Sequence, residues 1–393
     1  MTAIPRITID VTSAFHQTAG IGRLTRETVA ALNRIPNARH QYRYFCMGRP
    51  AAVQSRLSLR EFARQYPTVI SRFSDRNLYR LWFKAHSGVP VTWLSGGASD
   101  LYHATDFVLP PLPRGHASVL TVHDLTFERD PGSATPTLLA FLRNVVPRAA
   151  RAATRLVADS HATARDLETL YGIDPQKITT IYCGVSPQFA SVESSVAQGE
   201  SIAIRAKYGL GHHPFVLAVG TMQKRKNHRA LVRAFAGLAD SRSNLVIAGG
   251  KGWLYEDVMK EVHANGLEDR VKFAGFVAEP DLPALYRAAR VFAFPSLYEG
   301  FGLPLLEAMA CGIPVIGSNV SSLPEVLGDV GLQVSPTDLP ALTAALNHAW
   351  KDESWRKTQV HMGQVRAAQF SWDASAGQLA DVYDRVLAAS AKT

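Results

Sequence analysis

The sequence predicts an α/β protein built from two Rossmann-like units, each a parallel sheet with helices on its faces. Three observations carry this. The chain has 393 residues, too many for one hydrophobic core and suited to two domains. Short apolar or β-branched runs alternate with helical patterns, and the series pauses once and then restarts. In both series a glycine-rich or basic turn stands between a strand and a helix, where open α/β sheets hold ligands.

Arg6–Val11 alternates and is β-branched, a first strand. Gly20-Ile-Gly22 follows, then a helical pattern with Leu24, Thr28, Val29 and Leu32 on one face. This is a degenerate phosphate-loop signal, equally readable as a helix packed on a sheet. Asp100–Asp106 and Ser118–Asp124 are further strands with polar tips. His123 at such a tip could donate a hydrogen bond to a sugar hydroxyl, position an acceptor, or serve structure alone. Arg155–Ser160 leads to a helix through Leu170 that Ser160 can cap, and Lys177–Gly184 is one more strand. Residues 186–212 change character and open the second domain. Pro214–Gly220 restarts the pattern and runs into Lys224-Arg225-Lys226-Asn227, then a helix from His228. Three cations between a strand and a helix N-terminus suit a diphosphate, or form a solvated basic turn. Asn244–Gly250, Val271–Val277 and Arg290–Ser296 complete the strands before a last distinctive stretch.

That stretch, Ser296 to Ile316, reads strand end, glycine turn, helix, glycine stop, strand. Glu299 and Glu307 bracket the turn. Gly300 and Gly302 allow it to be tight, and a helix begins near Pro304. Carboxylates, free amides and a helix N-terminus converge there, an anion cradle with hydroxyl acceptors beside it. The alternative is an ordinary βαβ turn with surface glutamates.

Bulk composition narrows the partners. Hydrophobic residues make up 47% and charged residues 19%, so the chain is globular rather than disordered. The formal net charge of +9 favours nucleic acid, a membrane surface or a phosphorylated substrate. Residues 51–90 concentrate it: Arg56, Arg60, Arg64, Arg72, Arg76, Arg80 and Lys84 stand against Glu61 and Asp75. On helices these cations would form stripes beside an apolar stripe of Leu78, Leu81, Trp82 and Ala85, suiting an anionic membrane surface or a solvated face. No nucleic-acid module surrounds the patch, so nucleic acid is not expected as a partner. Cys46, Cys183 and Cys311 are widely spaced and suit a reducing cytosol. The N-terminus carries charge too early for a signal peptide, and no run reaches the roughly 20 apolar residues of a membrane span. A cytoplasmic protein is expected, and any membrane role would be peripheral, at the inner face of the plasma membrane.

Glu299-x7-Glu307 within Ser-Leu-Tyr-Glu-Gly-Phe-Gly-Leu-Pro-Leu-Leu-Glu-Ala-Met-Ala resembles the signature of the family 4 retaining glycosyltransferases. Val219–Asn227 is similar to that family's phosphate-binding lysine segment. The glycine loop at 20–22, Thr121-Val-His123-Asp-Leu, Gly275-Phe-Val277 and Phe370-Ser-Trp372 match in order. The resemblance implies the GT-B fold, two facing Rossmann-like domains. Residues 1–190 would take the acceptor and 191–374 the nucleotide sugar, with residues 375–393 returning to the first domain. No divalent metal or other cofactor is expected, because amides and cations hold the diphosphate; no Asp-x-Asp stands at a strand end.

The resemblance also implies residue roles. Glu307 would accept hydrogen bonds from the ribose, and Glu299 from the transferred sugar. The turn of Gly300, Phe301, Gly302 and Leu303 would offer amides to the diphosphate or sugar, and Lys226 would neutralise the diphosphate. Gly20 and Gly22 would let the first loop approach the donor phosphate, His123 would sit by the sugar, and Phe276 and Val277 would frame the base. Many members carry arginine where this chain has Thr221; Arg225 or Lys224 would then supply the second cation. The variant resembles a branch rich in mannosyltransferases of polysaccharide assembly. The expected activity is retaining transfer of a hexose, with a lean to mannose from GDP-mannose, onto a glycan or polyprenyl-diphosphate-linked oligosaccharide. Alternatives are an epimerase or phosphorylase of the same fold, a Rossmann oxidoreductase, for which Thr25 replaces the third glycine, and a non-catalytic binder of anionic surfaces.

Overall fold

The computed structural model describes residues 4–17, 20–36, 39–48, 57–252 and 255–390. The chain divides into two compact units. The first comprises Met1–Leu125, Thr135–Gly184 and Trp372–Thr393; the second comprises Thr126–Ala134 and Val185–Ser371.

The first unit holds strands β1 (Arg6–Asp10), β2 (Gln41–Cys46), β3 (Thr68–Ile70), β4 (Leu101–Ala104), β5 (Ala117–Val122), β6 (Arg155–Ala158) and β7 (Ile178–Thr180). They pair in parallel in the order β3-β2-β1-β4-β5-β6-β7. The order reverses between β1 and β4, so a crevice opens at their carboxyl ends. Helix α1 (Ile21–Arg34) follows β1 and buries Gly22, Thr25, Val29, Ala31 and Leu32.

The second unit repeats the plan with β8 (Phe215–Val219), β9 (Asn244–Ala248), β10 (Val271–Gly275), β11 (Val291–Phe294), β12 (Val315–Ser318) and β13 (Leu332–Val334). Their order is β10-β9-β8-β11-β12-β13, again parallel, with the reversal between β8 and β11. Helix α2 (His228–Ala236) follows β8, and α3 (Leu303–Ala310) follows β11. Strands such as Val216-Leu217-Ala218 and Leu245-Val246-Ile247 are continuously buried, as expected of a sheet covered on both faces.

The terminal helix α4 (Trp372–Ser390) belongs to the first unit and packs on α1. Its buried face is Trp372, Ala376, Leu379, Ala380, Val382, Tyr383 and Val386, a helical stripe. The Tyr383 hydroxyl lies 2.7 Å from His103 Nδ1, and His103 Nε2 lies 2.8 Å from the Thr121 hydroxyl. Burial, and then the charge of His123, push the His103 pKa down to about 3, so this ring is neutral and ties α4 to the sheet. Around the rim Arg34 pairs with Asp373, and Arg39 with Asp381 and Asp384.

The structure corrects the expected stripes of residues 51–90. Residues 51–56, including Arg56, lie outside the described residues. The remainder is two helical segments separated by β3, and the second passes from an α-helix (Asp75–Tyr79) into a π-helix (Arg80–Lys84). The wider turn breaks the fourfold spacing. Leu78 and Trp82 go into the core while Leu81 and Ala85 stay exposed, so the four do not form one apolar stripe.

Candidate active site

In the second unit the basic turn follows β8 and the glutamate turn follows β11, so both stand at the reversal of strand order. The backbone joins them directly: the Leu297 amide donates to the Arg225 carbonyl at 2.8 Å. Asn227 (φ 56°) ends the basic turn, and its side-chain amide donates to the carbonyls of Pro295 at 3.0 Å and Pro336 at 2.8 Å.

Glu299 is the centre of this arrangement and is 6% exposed. Its carboxylate accepts from Lys226 Nζ at 2.7 Å and, on the other oxygen, from Arg225 Nη1. Arg225 also donates to the Tyr298 carbonyl at 3.0 Å. Burial pushes the Glu299 carboxyl up, but the charges of Arg225 and Lys226 outweigh it and hold it below the ordinary carboxylate range. The cluster therefore carries one positive charge in excess. His228 beside it adds none: burial and the Lys226 charge push its pKa down to about 4.

Small residues make room for these cations. Gly220 has φ 151°, and a Cβ there would meet the Lys226 stem at 3.1–3.3 Å. The Lys226 ammonium lies 4.6 Å from the centre of the Phe294 ring. At the turn, Gly302 (φ 118°) caps α3, and a Cβ would sit 2.7 Å from Leu323 Cδ2. The turn's inner side is fixed by serines. The Glu299 amide donates to Ser321 Oγ at 2.9 Å, and Ser322 Oγ donates to the carbonyls of Glu299 and Phe301 at 2.9 and 2.7 Å. At the start of α3 the Leu305 and Leu306 amides donate to the Gly302 carbonyl at 3.0 and 3.4 Å, and Pro304 has no N–H. Glu307 is buried one turn into α3, and Tyr286 donates to its Oε2 at 3.0 Å. Beyond β10, Phe276 is 63% exposed and Val277 buried.

Of the two replacements weighed for the missing arginine, the structure brings Arg225 onto Glu299. Lys224 turns the other way, to Asp130 at 2.9 Å, and Thr221 is exposed. Ser321, Ser322, Tyr286 and Asp130 were not anticipated. Ser322-Leu-Pro-Glu325 has the pattern of a capping box, but the Ser322 hydroxyl points back into the glutamate turn and caps nothing.

Gly20, Gly22 and His123 lie in the first unit. Gly20 (φ 58°) caps α1, and a Cβ on Gly22 would collide with the Ser13 carbonyl at 2.7 Å. His123 stands at the carboxyl end of β5 and is 7% exposed. Its Nδ1 lies 2.7 Å from Asp159 Oδ2 and its Nε2 lies 2.8 Å from the Thr105 carbonyl. Burial lowers its pKa, but Asp159, Asp106 and the Thr105 carbonyl overcome this and raise it to about 9. A hydrogen bond from His123 to a sugar would require one of these partners to be given up. Among the described residues no group of three or more His, Cys, Asp or Glu is placed to hold a metal ion, and no helix is long and apolar enough to cross a membrane.

Comparison with known proteins follows the two units. Residues 18–189 match the family model of Glycosyltransferase Family 4, and residues 200–366 match that of Glycosyl transferases group 1. The O-antigen chain mannosyltransferase B of Escherichia coli is 34% identical over 286 residues, covering 72% of this chain and 74% of that protein. The serotype-specific mannosyltransferase WbdA of Escherichia coli is 31% identical over 284 residues, 70% of this chain but 34% of that protein, so the match spans about a third of that relative. Among solved structures, sucrose-phosphate synthase from Thermosynechococcus elongatus superposes with a TM-score of 0.72 at 22% identity, covering 98% of this chain and 100% of that one. The chain belongs to the group 1 glycosyl transferases, glycosyltransferase family 4, and has their two-unit GT-B fold.

Proposed function

We propose that the chain transfers mannose from GDP-mannose to a hydroxyl of a glycan or lipid-linked oligosaccharide, with retention at the anomeric carbon, in polysaccharide assembly. The observation that carries this reading is the Arg225–Glu299–Lys226 cluster beside the N-terminus of α3. When the glycosidic bond of the donor breaks, negative charge develops on the diphosphate. Two cations, the Leu303 amide and the dipole of α3 stabilise that charge more in the transition state than in the ground state. Glu299, held ionised, can only accept hydrogen bonds, which suits sugar hydroxyls and not proton donation. Glu307 takes the ribose hydroxyls, Phe276 and Val277 frame the base, and the departing phosphate takes the acceptor's proton on the same face. No resident metal or cofactor enters this scheme. The names of the two relatives at 34% and 31% identity favour mannose as the sugar and an envelope polysaccharide as the product.

Thermal shift with GDP-mannose, UDP-glucose and UDP-GlcNAc tests the donor. GDP-mannose should raise the midpoint most, since a ligand that binds only the folded state stabilises it. The linkage formed with a mannoside acceptor should be α by NMR. Stabilisation by UDP-glucose alone, or a β-linked product, would overturn the reading.

We further propose that the acceptor is met at an anionic membrane surface. Arg60, Arg64, Arg72, Arg76, Arg80 and Lys84 are exposed, with Phe73 at 55% and Leu81 at 40% exposure among them. The protein should float with vesicles containing phosphatidylglycerol, and less so as salt rises. Equal flotation with purely zwitterionic vesicles would remove this part.

A further inference from the structure

The two carboxylates that bracket the glutamate turn are held in different ways. Glu299 lies between Arg225 and Lys226, whose charges balance its own. Glu307 is 3% exposed within α3, and a carboxylate so buried has to be met by hydrogen-bond donors. The Tyr286 hydroxyl donates to its Oε2 at 3.0 Å. A phenol is a neutral donor, so it orients the carboxylate without cancelling its charge. A carboxylate has about four acceptor positions, so a bond from Tyr286 is compatible with two more from a pair of adjacent hydroxyls.

Tyr286 is itself fixed. It stands on the short helix Leu282–Arg287, just before β11, and is fully buried. Its ring packs edge-on against Phe292 of β11, with 5.4 Å between centroids, and against Phe189, with 6.0 Å. The next residue pins the helix end. The Arg287 guanidinium grips the Glu200 carboxylate at 2.8 and 3.1 Å and donates to the Ala190 carbonyl at 3.0 Å. A close-packed aromatic ring keeps one rotamer, so its hydroxyl is aimed. A glutamate side chain has three rotatable bonds, and a fixed donor on one oxygen removes much of that freedom before a ligand arrives.

We propose that Tyr286 is a positioning residue for the donor. Its hydroxyl fixes the Glu307 carboxylate in the orientation that accepts both ribose hydroxyls, and so sets how strongly the site prefers a ribonucleotide. This rests on the reading above that Glu307 takes the ribose, and adds the residue that gives this contact its strength. Phenylalanine would fill the same space but donate nothing.

Calorimetry of GDP and of 2′,3′-dideoxy-GDP with the full chain is the test. Wild type should prefer GDP by about a hundredfold, for two hydrogen bonds to a carboxylate. Tyr286→Phe should weaken GDP about tenfold and leave dideoxy-GDP unchanged. In turnover the KM for GDP-mannose should rise with kcat near wild type, because the ribose is held equally in ground and transition states. On a Glu307→Ala background, adding Tyr286→Phe should change neither affinity, since no carboxylate is left to orient. Val262→Ala, in the core of the same unit, should lower the denaturation midpoint and keep the preference for GDP. If Tyr286→Phe keeps the wild-type preference, or weakens both nucleotides alike, this inference falls alone. A matching loss of preference in Val262→Ala would make the effect one of stability and also overturn it. If wild type binds the two nucleotides alike, the ribose reading of Glu307 falls and takes this one with it. If wild type binds neither, the donor reading falls as well.

Discussion

Glu299→Ala is expected to reduce turnover about a hundredfold or more while leaving affinity for GDP undiminished. The carboxylate lies between two cations whose side chains are 18% and 11% exposed. Removing it takes away the hydroxyl acceptor for the transferred sugar and disorders the two cations that should meet the diphosphate. Loss of one such electrostatic contact typically costs about 10²–10³ in rate. The same change leaves two uncompensated, largely buried positive charges, and breaking a buried pair costs about 3–5 kcal/mol of stability. A bound diphosphate restores part of that balance, so GDP should bind at least as well to the variant and should stabilise it more than it stabilises wild type. Steady-state kinetics, calorimetry with GDP and chemical denaturation read the three effects separately. Turnover near the wild-type value would remove Glu299 from the reaction.

Stability is expected to fall as the solution is made alkaline, through His123. Its folded pKa is raised from 6.5 to about 9. A raised basic group stabilises the fold fully below the unfolded value, near pH 6.5, and that contribution is lost as pH rises through about 9. The span corresponds to about 3 kcal/mol. Asp106, pushed up to about 6 by burial, acts in a lower window: its contribution falls as pH rises from 3.8 to about 6, so the two steps are separable. Urea midpoints of the full chain between pH 6.5 and 9 should decline in wild type and flatten in Asp159→Asn. A midpoint indifferent to pH in wild type would mean that His123 is not charged.

What could be read from sequence depended on how far apart the cooperating residues lie. The glutamate turn was legible because its carboxylates, glycines and helix start are neighbours in the chain. The basic turn was legible as a turn, but not whether Arg225 or Lys224 would stand beside Lys226. Lys224, Arg225 and Lys226 sit on one 3-10 turn, and only its orientation sends Lys224 to Asp130 and the other two to Glu299. The state of His123 depends on Asp159, 36 residues away, and no local pattern signals that pairing. Residues 51–90 misled the reading because β3 is three residues long and leaves almost no alternation, while the π-helix shifts the spacing on which a stripe depends. The presence of two parallel α/β units, by contrast, followed from the restart of the strand–turn–helix series near Pro214.

Titration calorimetry of GDP-mannose into wild type and Lys226→Ala tests the central claim most directly, because Lys226 holds its Nζ 2.7 Å from Glu299 and its stem against Gly220 at the reversal of strand order. The expected result is a loss of affinity of about tenfold to a hundredfold in the variant, the range for charge-assisted contacts to phosphate. Unchanged affinity for GDP-mannose in Lys226→Ala would contradict the placement of the donor diphosphate at this turn.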